Sequence, residues 1–247
     1  MQRYFIEVFY KGTGYAGFQV QKNANSIQAE VEKALSIFFK SSVSLTGSSR
    51  TDKGVHALSN FFHFDCGFVP PAGGFGRIIY NLNAILPPGI VIKRIYAVAA
   101  GANCRFDAVE REYKYFIYQE NDPFRSDRAY YYPYELDLDA LNAAASCLLR
   151  YEDFSAFSKR NTQVRSFQCT LTTSEWLIED GMMVYRVAAN RFLRGMVRGL
   201  VGTMLQVGRG KIKLADFIGI IEGKDSSLAD FSVPPQGLFL VSVTYKE

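Results

Sequence analysis

The stretch Thr170-Leu171-Thr172-Thr173-Ser174-Glu175-Trp176-Leu177-Ile178-Glu179-Asp180-Gly181-Met182-Met183-Val184-Tyr185-Arg186-Val187-Ala188-Ala189 decides the fold. Two apolar-rich runs flank Asp180-Gly181, and an Asp-Gly pair so placed is the strongest short-range hairpin signal. Helical patterns lie on either side of the hairpin. Before it, Leu138, Leu141, Ala145 and Leu148 recur at helical spacing over residues 138–149, with Asp137 as the cap. After it, Leu193, Met196, Val197, Leu200 and Met204 predict a helix over residues 191–207, and a second follows over 214–222 with Gly223 at its end. A tyrosine-rich strand over 112–118 precedes these elements and a strand over 239–245 closes them. The order is β-α-β-β-α-(α)-β.

The first half of the chain has the same order. Residues 2–10 alternate and are rich in β-formers, which predicts a strand. Asn25 is the expected cap of a helix carrying Ile27, Val31, Ala34, Leu35 and Phe38 on one face, with Gln28 completing a capping box. Short strands are expected over 43–46 and 59–65. Pro70-Pro71-Ala72-Gly73-Gly74 breaks the chain before a helix with Phe75, Ile78, Ile79 and Leu82 inward, and a strand over 90–98 follows Pro87-Pro88-Gly89. Two β-α-β-β-α-β orders predict an α+β protein of two ferredoxin-like halves, residues 1–105 and 106–247, sharing an extended antiparallel sheet. The cleft between two such sheets is the expected place for a site.

Composition limits the function classes. The chain has 247 residues, of which 48% are hydrophobic and 21% charged, an ordinary globular balance with material for a sizeable core. A net charge of +4 permits an anionic partner without demanding one. The four cysteines are far apart and form no CxxC, and there are two histidines, so no zinc set and no disulfide framework is expected. With no cleavable apolar leader and no apolar run of membrane length, the expectation is a soluble, cytoplasmic protein with reduced thiols.

Between two expected strands of the first half lies Gly47-Ser48-Ser49-Arg50-Thr51-Asp52-Lys53-Gly54-Val55-His56-Ala57. Its one carboxylate, Asp52, sits between Arg50 and Lys53, and nearby cations favour an ionised acid. Asp-Lys-Gly is also ordinary turn chemistry. The glycine-rich Lys11–Phe18 stretch lacks the spacing of a phosphate loop. In the second half, Arg191, Arg194 and Arg198 fall on one stripe of the expected helix, with Gly195, Gly199 and Gly202 beside them. Such a stripe is either a solvated basic face or, given the glycines, a place where a backbone or ligand comes close. Further cations lie near aromatics: Arg105 before Phe106, Arg125 and Arg128 before Tyr130-Tyr131-Tyr132, and Lys159-Arg160 after Phe154 and Phe157. Phosphates need cations and unstacked bases need aromatic faces. Tyr113 and Tyr115 share a strand face with Arg111. These features favour an RNA- or nucleotide-directed protein with one candidate catalytic carboxylate.

Ser49-Arg50-Thr51-Asp52-Lys53-Gly54-Val55-His56-Ala57 closely resembles the G-R-T-D-x-G-V-H-A signature of the TruA-type tRNA pseudouridine synthases. The resemblance extends through Leu82–Pro87, Cys104–Ala108, Arg111–Tyr115, Asp153–Phe157, Phe192–Arg198 and Pro234–Leu240, nearly the whole chain. Ser49 in place of a glycine, Asn103-Cys104 in place of a common His-Ala, and Arg194-Gly195 where many members carry histidines depart from the pattern. The resemblance implies that Asp52 breaks the glycosidic bond of a uridine so that the base can rotate and rejoin through C5. Attack at C1′, attack at C6 and a glycal route are all compatible with the sequence. It further implies that Tyr113 stacks on the flipped base, Arg198 pairs with Asp52, Leu238 packs on the base and Arg50 helps displace the nucleotide. It implies a homodimer acting on the anticodon stem-loop of tRNA, without cofactor or metal. Arg105, Lys159, Arg191 and Arg194 are expected to contact the RNA. A non-catalytic RRM-like RNA-binding module and a metal-dependent phosphotransferase using Asp52 are the competing readings.

Overall fold

The computed structural model describes residues 1–70, 74–159, 164 and 166–246. The fold is α+β with a large, mostly antiparallel sheet. Two compact units comprise Met1–Val109 with Leu240–Glu247, and Glu110–Phe239. Of the sequence-level features, Pro71-Ala72-Gly73 and Arg160 lie outside the described residues.

The first unit contains β1 (Gln2–Tyr10), α1 (Ile27–Phe39), β2 (Thr46–Gly47), β3 (His56–Cys66), α2 (Gly76–Ile85) and β4 (Ile90–Val98). Tyr4 through Val8 are buried without a break, so β1 is covered on both faces. It pairs antiparallel with β3 and β4, Phe5 lying opposite His63 on one side and Tyr96 on the other. β2 pairs with β3, giving the strand order β4-β1-β3-β2.

Three local expectations differ from the structure. The cap of α1 is Ser26, whose Oγ accepts from the Ala29 N–H at 3.2 Å, rather than Asn25. Gln28 forms no capping box; its amide donates to the Leu45 carbonyl at 2.9 Å and to Glu32 at 2.9 Å. The strand expected over 43–46 is only Thr46–Gly47. Its backbone finds partners on α1 instead: Leu45 N–H donates to Glu32 Oε1 at 2.9 Å and Val43 N–H to Ser36 Oγ at 3.2 Å. With those groups satisfied by side chains, no ladder is needed to bury Val43 and Leu45.

The second unit contains most of β5 (Ala108–Tyr118), β6 (Tyr130–Tyr131), α3 (Leu138–Cys147), β7 (Leu171–Glu179), β8 (Met182–Ala189), α4 (Met196–Gly208) and α5 (Leu214–Gly223). The last strand, β9 (Leu238–Tyr245), contributes Leu238 and Phe239 to this unit and its remainder to the first. The order here is β9-β5-β8-β7. The β7–β8 hairpin forms as the sequence predicts: Asp180 and Gly181 have φ of 48° and 72°, the two positive values a type I′ turn requires. Asp137 caps α3 by accepting from Ala140 N–H at 3.0 Å. The short β6, parallel to the end of β5, was not expected.

The helix expected over 191–207 begins five residues late, at Met196. Gly195 has φ of 75°, left-handed backbone that stops the helix from extending backwards. The carbonyls ahead of it are taken from outside: Arg111 donates to Asn190 O at 2.8 Å, and Lys159 N–H to Arg194 O at 3.0 Å. Arg191 and Arg194 are therefore not on a helix, and the three-arginine stripe does not exist. The reading of the glycines as close-approach positions holds within α4. A Cβ on Gly202 would stand 2.2 Å from the Asp230 carbonyl oxygen, so only hydrogen fits between the helix and that backbone. Gly202→Ala should cost about 1–3 kcal/mol, the range for overpacking a filled site, seen as a lower urea midpoint at unchanged slope.

Candidate active site

The loop between β2 and β3 is polar and yet mostly buried. Ser48, Ser49, Thr51, Val55 and His56 are each less than one-tenth exposed, whereas Asp52 is half-buried and Arg50 and Lys53 are exposed. A polar loop can be buried only if its backbone and hydroxyls find partners. Asn60 of β3, fully buried, supplies the main one: its side-chain N–H donates to the Ser49 carbonyl at 2.8 Å and to the Tyr10 hydroxyl at 3.1 Å. Tyr10 in turn shares a 2.8 Å hydrogen bond with Thr51 Oγ1. Phe18 N–H donates to Thr51 O at 3.1 Å, and Gly12 N–H to His56 Nδ1 at 3.2 Å. The last contact requires glycine, because a Cβ at Gly12 would meet the Val55 carbonyl oxygen at 2.0 Å. The glycine stretch after β1 thus supports this loop instead of cradling a phosphate. Asp52 sits half-buried within this braced loop. It makes no ion pair with Arg50 or Lys53.

Arg105 stands on a turn braced at both ends. Asn103 Oδ1 accepts from Arg105 N–H at 3.0 Å and Asp107 Oδ2 from Asn103 N–H at 2.7 Å. Between them Cys104 is fully buried, its thiol donating to Thr46 O at 3.1 Å and its carbonyl accepting from the Tyr245 hydroxyl at 2.8 Å. His63 Nδ1 lies 3.2 Å from the Cys104 sulfur. Burial and the nearby Arg3 hold the His63 imidazole below the ordinary histidine range. This bracing puts Arg105 and Arg50 on the wall of one cavity of about 210 Å³, together with Phe18, Gln19, Gln28 and Gly47.

The other expected site residues belong to the second unit. Tyr113, on β5 and 8% exposed, meets Phe192 edge to face with ring centres 5.0 Å apart. Lys159 lays its aliphatic stem over Gly195, where a Cβ would meet its Cγ at 2.9 Å, next to the exposed Arg194. The half-buried Arg191 lies three residues before Arg194 on the same segment. Arg198, in the first turn of α4, donates from Nε to Val233 O at 2.7 Å and from Nη2 to Phe231 O at 3.1 Å. Tyr115 holds the same segment through its hydroxyl to Pro234 O at 2.7 Å. These bonds fix the approach to Leu238, which is buried at the start of β9. Tyr113, Lys159, Arg191 and Arg194 thus cluster around the entry to α4, with Arg198 and Leu238 tied to the segment before β9. The cations before Tyr130 do not join them: Arg125 pairs with Asp122 at 3.0 Å and Arg128 with Asp127 at 3.1 Å.

Comparison with known proteins settles the kinship. A family profile described as tRNA pseudouridine synthase matches residues 144–246. A protein of Parabacteroides distasonis named tRNA pseudouridine synthase A is 41% identical over 247 residues, covering 100% of this chain and 97% of that protein. The chain belongs to the tRNA pseudouridine synthase family. A Porphyromonas gingivalis relative of the same name is 42% identical over 247 residues, covering 99% of this chain and 98% of its own length. One from Staphylococcus aureus is 35% identical over 247 residues, with 99% and 92% covered.

Set against the family signature around Asp52, the supports that sequence reasoning missed are Asn60, Tyr10 and Gly12. Tyr10-Lys11-Gly12 carried a signal, a strand ending in a glycine turn, but its partner lies more than 40 residues away. Asn60→Ala removes the donor to two buried acceptors and should destabilise the chain by about 2 kcal/mol, measured by urea unfolding; Tyr10→Phe should cost less than half as much. His63 gives a pH test. Its folded-state value is depressed, so the stability it contributes is complete above the ordinary imidazole range, near pH 6.5, and is lost as pH falls below it. His63→Gln should flatten this acid-side loss in urea midpoints taken between pH 7 and 5 (on the order of two pH units).

Proposed function

We propose that this chain isomerises uridine to pseudouridine in the anticodon stem-loop of tRNA, with Asp52 as the catalytic carboxylate. Family membership makes it an isomerase acting on tRNA. The observation that carries the residue assignment is the loop itself: a mostly buried polar segment, braced by Asn60, Tyr10 and Gly12, with one half-buried carboxylate between two exposed cations. A carboxylate that must meet a reacting sugar or base has to be accessible and held still.

The reaction is an internal exchange of bonds. The C1′–N1 bond of uridine breaks with the assistance of Asp52, the freed uracil rotates, and a C1′–C5 bond forms. C5 loses its proton and N1 gains one, so nothing is added or removed. The base must first leave its stack, at a cost of a few kcal/mol, roughly the range for flipped nucleotides. Arg50 assists that displacement. Tyr113 stacks on the flipped base and relays the proton; its contact with Phe192 holds the ring in place. Leu238 packs against the base. Arg198 is the charge partner of Asp52 in the working enzyme, two of its five N–H groups being spent on the Phe231 and Val233 carbonyls. Arg105, Lys159, Arg191 and Arg194 contact the RNA. The chain works as a cytoplasmic homodimer built of two ferredoxin-like halves, residues 1–105 and 106–247. The strand orders β4-β1-β3-β2 and β9-β5-β8-β7 support that description. Among the described residues no helix is long and apolar enough to cross a membrane.

The test is tritium release from C5-labelled tRNA. The wild-type chain should release tritium by itself, and Asp52→Asn should reduce release at least ~1,000-fold, the scale of losing an essential catalytic group, while tRNA binding persists. Release within a few-fold of wild type would remove Asp52 from the mechanism. No release by the wild-type chain would favour a passive RNA-binding module.

A further inference from the structure

The cavity beside the Asp52 loop has a chemistry of its own. We propose that it seats one phosphodiester of the RNA, the one flanking the target uridine. The inference rests on Asp52 as the catalytic carboxylate. Arg50 and Arg105 come from separate stretches of chain and share the cavity wall with the amide-bearing Gln19 and Gln28; no acidic side chain lines it. The planar guanidinium fork matches phosphate oxygens better than any other side chain. Arg50 makes no hydrogen bond or ion pair among the described residues, so its charge is kept for a ligand.

The walls are built in advance. Arg50 follows Ser49, whose carbonyl Asn60 holds at 2.8 Å. The turn bearing Arg105 is tied through the Cys104 thiol to Thr46 O at 3.1 Å, on the cavity's own rim. The floor is Phe18, stacked on Phe62 with ring centres 4.5 Å apart and planes 9° from parallel. Gly47 lies on Phe18 so closely that a Cβ would meet the ring at 2.2 Å, which keeps the mouth clear of side chains. Arg50 is two residues from Asp52, a span of at most ~7 Å of extended chain. A phosphate held by Arg50 therefore belongs to the stretch of RNA that meets the Asp52 loop.

The experiment pairs changes in the protein with changes in the RNA. A stem-loop RNA carrying the target uridine is made with a neutral methylphosphonate at each linkage in turn, and binding is followed by fluorescence anisotropy. For the wild-type chain, one linkage flanking the uridine should weaken binding about tenfold when neutralised, and Arg105→Ala should lose affinity to a similar degree. In Arg105→Ala and in Arg50→Ala that same linkage should cost less than about twofold, and the slope of log affinity against log salt should fall by about 0.7–0.9. If the two losses multiply at every linkage, the cavity seats no phosphate. If an abasic replacement couples to Arg105 instead, the cavity takes a base and the proposal is wrong. Pseudouridine formation is scored on the unmodified RNA, so failure of the catalytic reading shows there, while failure of the phosphate seat shows only in the coupling. Arg105 is exposed, so its replacement leaves the fold intact for the measurement.

Discussion

A buried polar loop has to have every backbone group satisfied, and that constraint organises the first unit. The Asp52 loop cannot lean mainly on an apolar core, because it is rich in serine, threonine, glycine and charge. It is held instead by one amide side chain, Asn60, which bonds the loop backbone and a tyrosine hydroxyl together. That tyrosine ends β1, and the glycine turn after it closes on Val55. Two strands and a turn thus converge on three residues, Ser49, Thr51 and Val55, on either side of Asp52. Orphaned hydrogen-bonding groups in a site of this kind cost about 1–3 kcal/mol each, so the loop has little freedom to adopt another shape.

The same economy appears in the second unit, where the organising groups are cations and glycines. The Arg111 guanidinium and the Lys159 backbone N–H bond the chain just before α4, and the Arg198 guanidinium bonds the chain just before β9. Arg198 spends two of its donors on backbone carbonyls. Long guanidinium side chains with several donors suit such double use. Burial elsewhere removes competing reactivity: the Cys147 and Cys169 thiols are pushed up to about 11 by burial, which keeps them as neutral thiols at neutral pH.

The element order was legible because it depends on local signals. Asp180-Gly181 forces positive φ on two residues whatever the rest of the chain does, and the hairpin formed where expected. Helix starts were less legible. Arg191 to Arg194 have good helical character, but Gly195 adopts left-handed backbone and outside donors take the preceding carbonyls. Hydrophobic spacing cannot register a competitor more than 30 residues distant. Val43 and Leu45 are a shorter-range case: their backbone is satisfied by side chains of α1, Ser36 and Glu32, 7 and 13 residues earlier, rather than by a strand.

The sequence by itself determined the α+β order of elements and the family, and it singled out Asp52 as the candidate for the chemistry. A short motif can do this because its residues are adjacent in the chain. Only the tertiary structure decided what holds Asp52 in place and what stands next to it. Asn60, Tyr10 and Gly12 act through hydrogen bonds and close approaches to a loop remote in sequence. Arg50 and Arg105 become neighbours because a buried cysteine ties one turn to the edge of another strand. Such proximity follows from how strands register and how polar groups are satisfied, which no local pattern of residues encodes.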